Sequence, residues 1–183
     1  NINIKDTSTT DKSGAINLPD AFDVSLGQVE IQGGSLVFAN RQSEQAHKLS
    51  ELGLAIELPS LRQELRLEGE LVYRGEKFEL ALSLSTPEKL LTNQAFDTEL
   101  TLSSTLVNLD YRGKIEEQGN KVSGRFGLHA PSLKDIFAWQ DIALDAKPGA
   151  YNQFSLTSKL LYQGNSISLQ KIAFSLDKLS IKG

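Results

Sequence analysis

The stretch LRLEGELVYRGEKFELALSLSTPEKLL (65–91) decides the fold. Leu65, Leu67, Gly69, Leu71 and Tyr73 fall on one side of an extended chain, and Arg66, Glu68, Glu70, Val72 and Arg74 on the other. A strand turns successive side chains to opposite faces, so this period of two predicts a β-strand with one apolar face. Gly75-Glu76 predicts a tight turn. Phe78, Leu80, Leu82 and Leu84 then resume the alternation, with Glu79, Ala81 and Ser83 opposite. The whole is a hairpin, apolar on one face and mostly polar on the other. Something must cover the apolar side.

Working outward in both directions gives more of the same. Residues 1–21 are rich in Thr, Ser and Asp without a sustained period and are expected to be a flexible linker, with one β-repeat domain over 22–183. Val24, Leu26, Val29 and Ile31 suggest a strand with a bulge at Gly27, and Gly33-Gly34 a hairpin turn returning through Leu36 and Phe38. Arg41 to His47 reads as a polar loop, and Leu52 to Leu58 as a strand ended by Pro59. Thr86 suits a helix N-cap, Pro87 the first helical position and Glu88 the first turn of a short helix to Leu91. Strands are expected through Phe96–Leu102, Leu106–Ile115 and Val122–Leu128, with a turn at Gly119-Asn120. Between Ala130 and Trp139 the alternation stops; Leu133, Ile136, Phe137 and Trp139 are spaced for a short amphipathic helix pressed on the sheet. Strands resume at Phe154–Tyr162, turn at Gly164-Asn165, and run from Ile167 to Ile181 with an irregularity at Asp177-Lys178. The expected fold is all-β: an antiparallel, hairpin-built curved sheet of ten to twelve strands with one or two short helices. It could be a β-groove, an open barrel or a sandwich.

Composition narrows the function. With 183 residues, 39% hydrophobic and 23% charged, the chain suits one domain with a core. A net charge of -4 and scattered basic residues argue against a nucleic-acid module. Without cysteine there is no disulfide, thiolate nucleophile or Cys-ligated metal. No apolar run reaches the roughly 18 residues of a membrane-spanning helix. The chain starts at Asn1 and ends in mid-pattern at Ile181-Lys182-Gly183, which reads as part of a longer protein with its anchor upstream.

Nothing points to catalysis. His47 and His129 are the only histidines, and both read as solvated or capping groups. No H-E-x-x-H, G-x-S-x-G, Walker or G-x-G-x-x-G pattern occurs. Ser168-Leu-Gln-Lys171 and Ser175-Leu-Asp-Lys178 match S-x-x-K, but neither opens a predicted helix, and chance alone supplies about one such match. Glu116-Glu117 beside a turn reads as solvated charge. No catalytic residue, metal or cofactor is expected.

A loose repeat runs through the chain: Tyr73-Arg74-Gly75, Tyr111-Arg112-Gly113 and Tyr162-Gln163-Gly164, each expected to end one strand before another begins. The serial order of VSLGQVEIQGGSLVFAN (24–40), LGLAIELPSL (52–61), LRLEGELVYRG (65–75), LSTPEKLL (84–91), GRFGLHAPSLKDIFAW (124–139) and SLDKLSIKG (175–183) resembles the AsmA family of bacterial envelope proteins. That family is similar to the larger TamB-like bridge proteins, whose sheets curl into an apolar groove.

The resemblance implies a periplasmic segment tethered to the inner membrane by a missing N-terminal helix. It implies a role in outer-membrane homeostasis, with phospholipid acyl chains as the partner. Phe78, Leu80, Leu82, Leu100, Leu102, Leu109, Phe126 and Leu128 are then the candidate groove lining. The bland reading of the same residues is a dry β-core. The alternative function is a structural or chaperone-like module that assists outer-membrane proteins through exposed strand edges.

Overall fold

A computed structural model describes residues 24–40, 45–145, 147 and 149–183. The expected linker, 1–21, lies outside the described residues. Ten antiparallel strands form one sheet in strict sequence order. They are β1 (Gly27–Asn40), β2 (Gln45–Leu58), β3 (Leu65–Tyr73), β4 (Glu76–Leu84), β5 (Phe96–Ser103), β6 (Asn108–Glu116), β7 (Lys121–Ala130), β8 (Phe154–Gln163), β9 (Ser166–Leu176) and β10 (Leu179–Lys182). Helix α1 (Glu88–Leu91) joins β4 to β5, and α2 (Leu133–Trp139) follows β7. Each strand pairs with its neighbours in sequence, and among the described residues no second sheet faces the first. The all-β expectation therefore takes its open form, a curved single-layer sheet, rather than a barrel or a sandwich.

The opening hairpin is where the alternation put it. Leu67 faces Leu82, Leu71 faces Phe78 and Tyr73 faces Glu76, but the turn is Arg74-Gly75 rather than the expected Gly75-Glu76, with Glu76 already in β4 and Gly75 at φ +80°. Five other expectations are corrected. Gly33-Gly34 is not a hairpin turn. Gly33 takes φ +63°, and β1 runs straight through it, with register shifts on both sides of Gly34. Glycine fits a bulge as readily as a turn, and the long partner strand β2 selects the bulge. For the same reason His47 lies in β2 rather than in a loop.

Helix α1 takes its N-cap at Pro87, and no side chain caps it, Thr86 included. Asp177-Lys178 is a full turn between β9 and β10, with Asp177 at φ 52°. The Tyr-x-Gly triplets are not equivalent either. Two lie at strand ends, but Tyr111-Arg112-Gly113 sits inside β6.

Helix α2 forms as its spacing predicted. Ser132 caps it by accepting a hydrogen bond from the Asp135 backbone N–H at 3.1 Å.

Candidate functional site

Residues directly opposite each other in a sheet share a face, so the register can be followed from strand to strand. One row reads Ile31, Leu54, Gly69, Leu80, Leu102, Leu109, Leu128, Leu156, Phe174, Ile181. It crosses all ten strands, and its only gap is glycine. A second reads Val29, Ile56, Leu67, Leu82, Leu100, Tyr111, Phe126, Ser158. All eight candidate residues lie on this one face. Leu80, Leu102, Leu109 and Leu128 share the first row, Leu82, Leu100 and Phe126 the second, and Phe78 lies one pair further along β4.

The other face is polar. A typical row there is Gln28, Glu57, Arg66, Ser83, Glu99, Arg112, Arg125, Lys159, Gln170. Exposed ion pairs lace it, among them Lys77–Glu70 at 2.5 Å and Arg66–Glu64 at 2.6 Å. The hydrogen bonds these cations make to their carboxylates push the Lys77, Arg66 and Lys121 pKa values up. Glu116 of the acidic pair partners Lys121 at 2.9 Å. His129 is exposed on this face, opposite Asn108 and Ser155.

On the apolar face the backbones of β6 and β7 approach closely at one point. Gly113 and Gly124 stand opposite each other in a row between Thr98 and Leu160. A Cβ on Gly113 would lie 2.2 Å from the Ser123 carbonyl oxygen and 2.6 Å from the Gly124 Cα, so only glycine permits this approach. Tyr111 fills the notch. Its hydroxyl lies 3.2 Å from the Lys114 carbonyl and 3.1 Å from that of Ser123, and it donates its single proton to one of them. Only 9% of Tyr111 is exposed, and burial pushes its phenol pKa up.

A short helix packs at each end of the strands, and the floor between them is half-buried. At one rim Leu58, Leu61, Pro87 and Phe96 are buried together, and the Glu88 N–H donates to the Leu61 carbonyl at 2.9 Å, tying α1 to the β2–β3 loop. At the other rim α2 reaches back to the β3–β4 turn. The Trp139 ring lies 5.7 Å from Tyr73 and 5.8 Å from Phe78, and its indole N–H donates to the Arg74 carbonyl at 3.2 Å. Arg74 completes the clasp with bonds to Gln140 and Asp141. His47 Nδ1 sits 2.6 Å from the Tyr73 hydroxyl, which extends the aromatic cluster to β2.

Phe78 is therefore 4% exposed, under the helix. Leu80, Leu82, Leu100, Leu102, Leu109, Phe126 and Leu128 are half-buried, flanked by one another. Among the described residues no large side chain is fully buried.

Sequence reasoning found the floor but not its extent. Leu54, Leu67, Leu156 and Phe174 alternate as clearly as the candidates and complete the rows. Tyr111 over its glycine pair was hidden, because the Tyr-x-Gly triplet read as a strand end. Among the described residues no group of His, Asp and Glu is placed to hold a metal ion. No family model, curated protein or solved structure matches the chain.

Proposed function

We propose that this chain is a non-enzymatic lipid-handling segment of the bacterial envelope, and that its apolar trough holds phospholipid acyl chains. One observation carries the reading: an apolar row across ten strands, broken only by Gly69, that no second sheet covers among the described residues. Nine inter-strand steps of about 4.8 Å make that row roughly 43 Å long. A bilayer's hydrocarbon core is about 30 Å thick, so one leaflet's chains span about 15 Å, and the row accommodates two end to end.

Each CH2 transferred from water to such a floor gains about 0.8 kcal/mol, with no polar group required. The motif order resembling the AsmA family supports a periplasmic location and an upstream inner-membrane tether. The test is lipid extraction and mass spectrometry on protein made in a bacterial periplasm and purified without detergent. Near-stoichiometric phospholipid is expected; a lipid-free protein overturns the reading.

A second reading, a chaperone-like module for outer-membrane proteins, has one observation in its favour. Among the described residues the sheet does not close and β1 and β10 each have one unpaired edge, and Leu36 and Val37 on β1 are exposed. Val37→Pro puts a proline, which has no N–H, into the edge strand. It should impair client-strand binding and spare lipid if this reading holds.

A further inference from the structure

We propose a second site, on the polar back of the sheet over β7–β9, that binds a phosphate-bearing anion. Three cations stand directly opposite one another in the register: Arg112, Arg125 and Lys159. Directly opposed residues hold their Cβ atoms about 4.5–5.5 Å apart, and like charges so placed repel. Glu99 neutralises Arg112 at 2.7 Å. Among the described residues Arg125 and Lys159 have no ion-pair or side-chain hydrogen-bond partner, and neither has Lys171 beside them.

The backbone brings the third cation in. Between Thr157 and Lys159 the β8–β9 register slips, so that Lys171 and Ile172 together oppose Ser158. Lys171 takes φ 51°, a left-handed conformation that is uncommon for a lysine. Bulges of this kind re-aim a side chain. Here Lys171 joins Arg125, Lys159, Thr157 and Gly124 around one open depression of about 610 Å³. Asp110, on the same face, has its carboxylate against the Gly127 backbone and forms no ion pair with the three cations.

The contrast with the far end of the sheet sharpens the point. There Glu30, Glu68, Glu70 and Glu79 surround a depression of about 640 Å³, and the nearby Lys77 is bonded to Glu70. Among the described residues Arg125, Lys159 and Lys171 stand unpaired where like charges crowd, which is the arrangement an external anion would relieve. An arginine fork and two flexible ammonium groups match phosphate oxygens.

The test uses two probes on the whole chain: calorimetric titration with inorganic phosphate, and flotation with phosphatidylcholine vesicles with and without phosphatidylglycerol. The variant K159Q/K171Q alters exposed side chains. It should weaken binding by about tenfold or more. The control K77Q/K121Q removes the same charge from cations that already have partners, and should change little. Binding of both probes, lost in the first variant, supports the site and makes a lipid headgroup its source. Binding of phosphate alone, lost in the same way, supports the site with a soluble phosphate compound as source. No response to either probe, or an equal loss in the control, overturns the proposal.

Discussion

Phe78 and Leu82 lie on the same strand, on the same face, in the same alternation, yet they have different surroundings. Phe78 is roofed by Trp139 and flanked by Tyr73. Leu82 stands half-buried between its row neighbours, Leu67 and Leu100. The difference is made by a helix that arrives from the far side of β7, with a hydrogen bond spanning 65 residues. Alternation decides which face is apolar. A distant connection decides which part of that face is buried and which is left half-exposed.

The largest effect should come from removing the roofed side chain. Phe78→Ala leaves a cavity under Trp139 and should cost about 3–5 kcal/mol in urea denaturation. A cost near that of an exposed leucine would mean that α2 does not hold the rim, and the contrast would collapse. Next in size is Gly124→Ala. The new methyl would sit 2.4 Å from the Arg112 carbonyl oxygen, against backbone that cannot rotate away. A loss of about 1–3 kcal/mol is expected. An unchanged midpoint would show that the trough is shallower at β6–β7 than the geometry requires.

Tyr111 tests the same notch through pH. Its folded pKa lies above the ordinary phenol value because burial disfavours the phenolate. In the unfolded chain the phenol ionises near pH 10. Above that pH the unfolded state binds fewer protons than the folded one, so stability falls as pH rises from about 10 toward the folded value. Lys77 and Lys121, whose folded values are also raised, act in the same direction over the same window. Tyr111→Phe should therefore cost about 1 kcal/mol at neutral pH through the lost hydroxyl bond. It should also make the alkaline decline shallower without abolishing it. An unaltered slope in urea melts at several pH values would place the phenol in water.

Most of the fold was legible because it rests on local signals. The hairpin of β3 and β4, the helix at Leu133–Trp139 and the apolar face each follow from residues within one window. Failures came where two conformations suit the same residues. Gly33-Gly34 serves a turn or a bulge, and only the length of β2 decides between them. Asp177-Lys178 shows no glycine, yet Asp177 takes a left-handed φ. Its carboxylate also accepts hydrogen bonds from the Tyr151 and Asn152 N–H groups at 2.7 and 2.9 Å, which ties the turn to the loop before β8. Tyr111 could be read as a strand end because its glycine looked like a turn former. Its true reason is the facing Gly124, eleven residues on. The site was legible as a list of leucines. Its openness was not, since no local pattern says whether a second layer will cover an apolar face.

The smallest stability change is the most informative. Leu102 sits mid-row between Leu80 and Leu109, half-buried, with no helix above it. If the floor is a ligand surface, Leu102→Ser removes apolar area that was already partly hydrated. Stability should drop by less than about 1 kcal/mol, well under the 2–5 typical of truncating a fully packed core leucine. Co-purifying lipid should fall nonetheless, and fall further in L82S/L102S, because both rows are then interrupted at β4–β5. A loss comparable to Phe78→Ala would make Leu102 core and remove the distinction between floor and rim. An unchanged lipid content with a small stability loss would instead keep the floor open and move the acyl chains away from β4–β5.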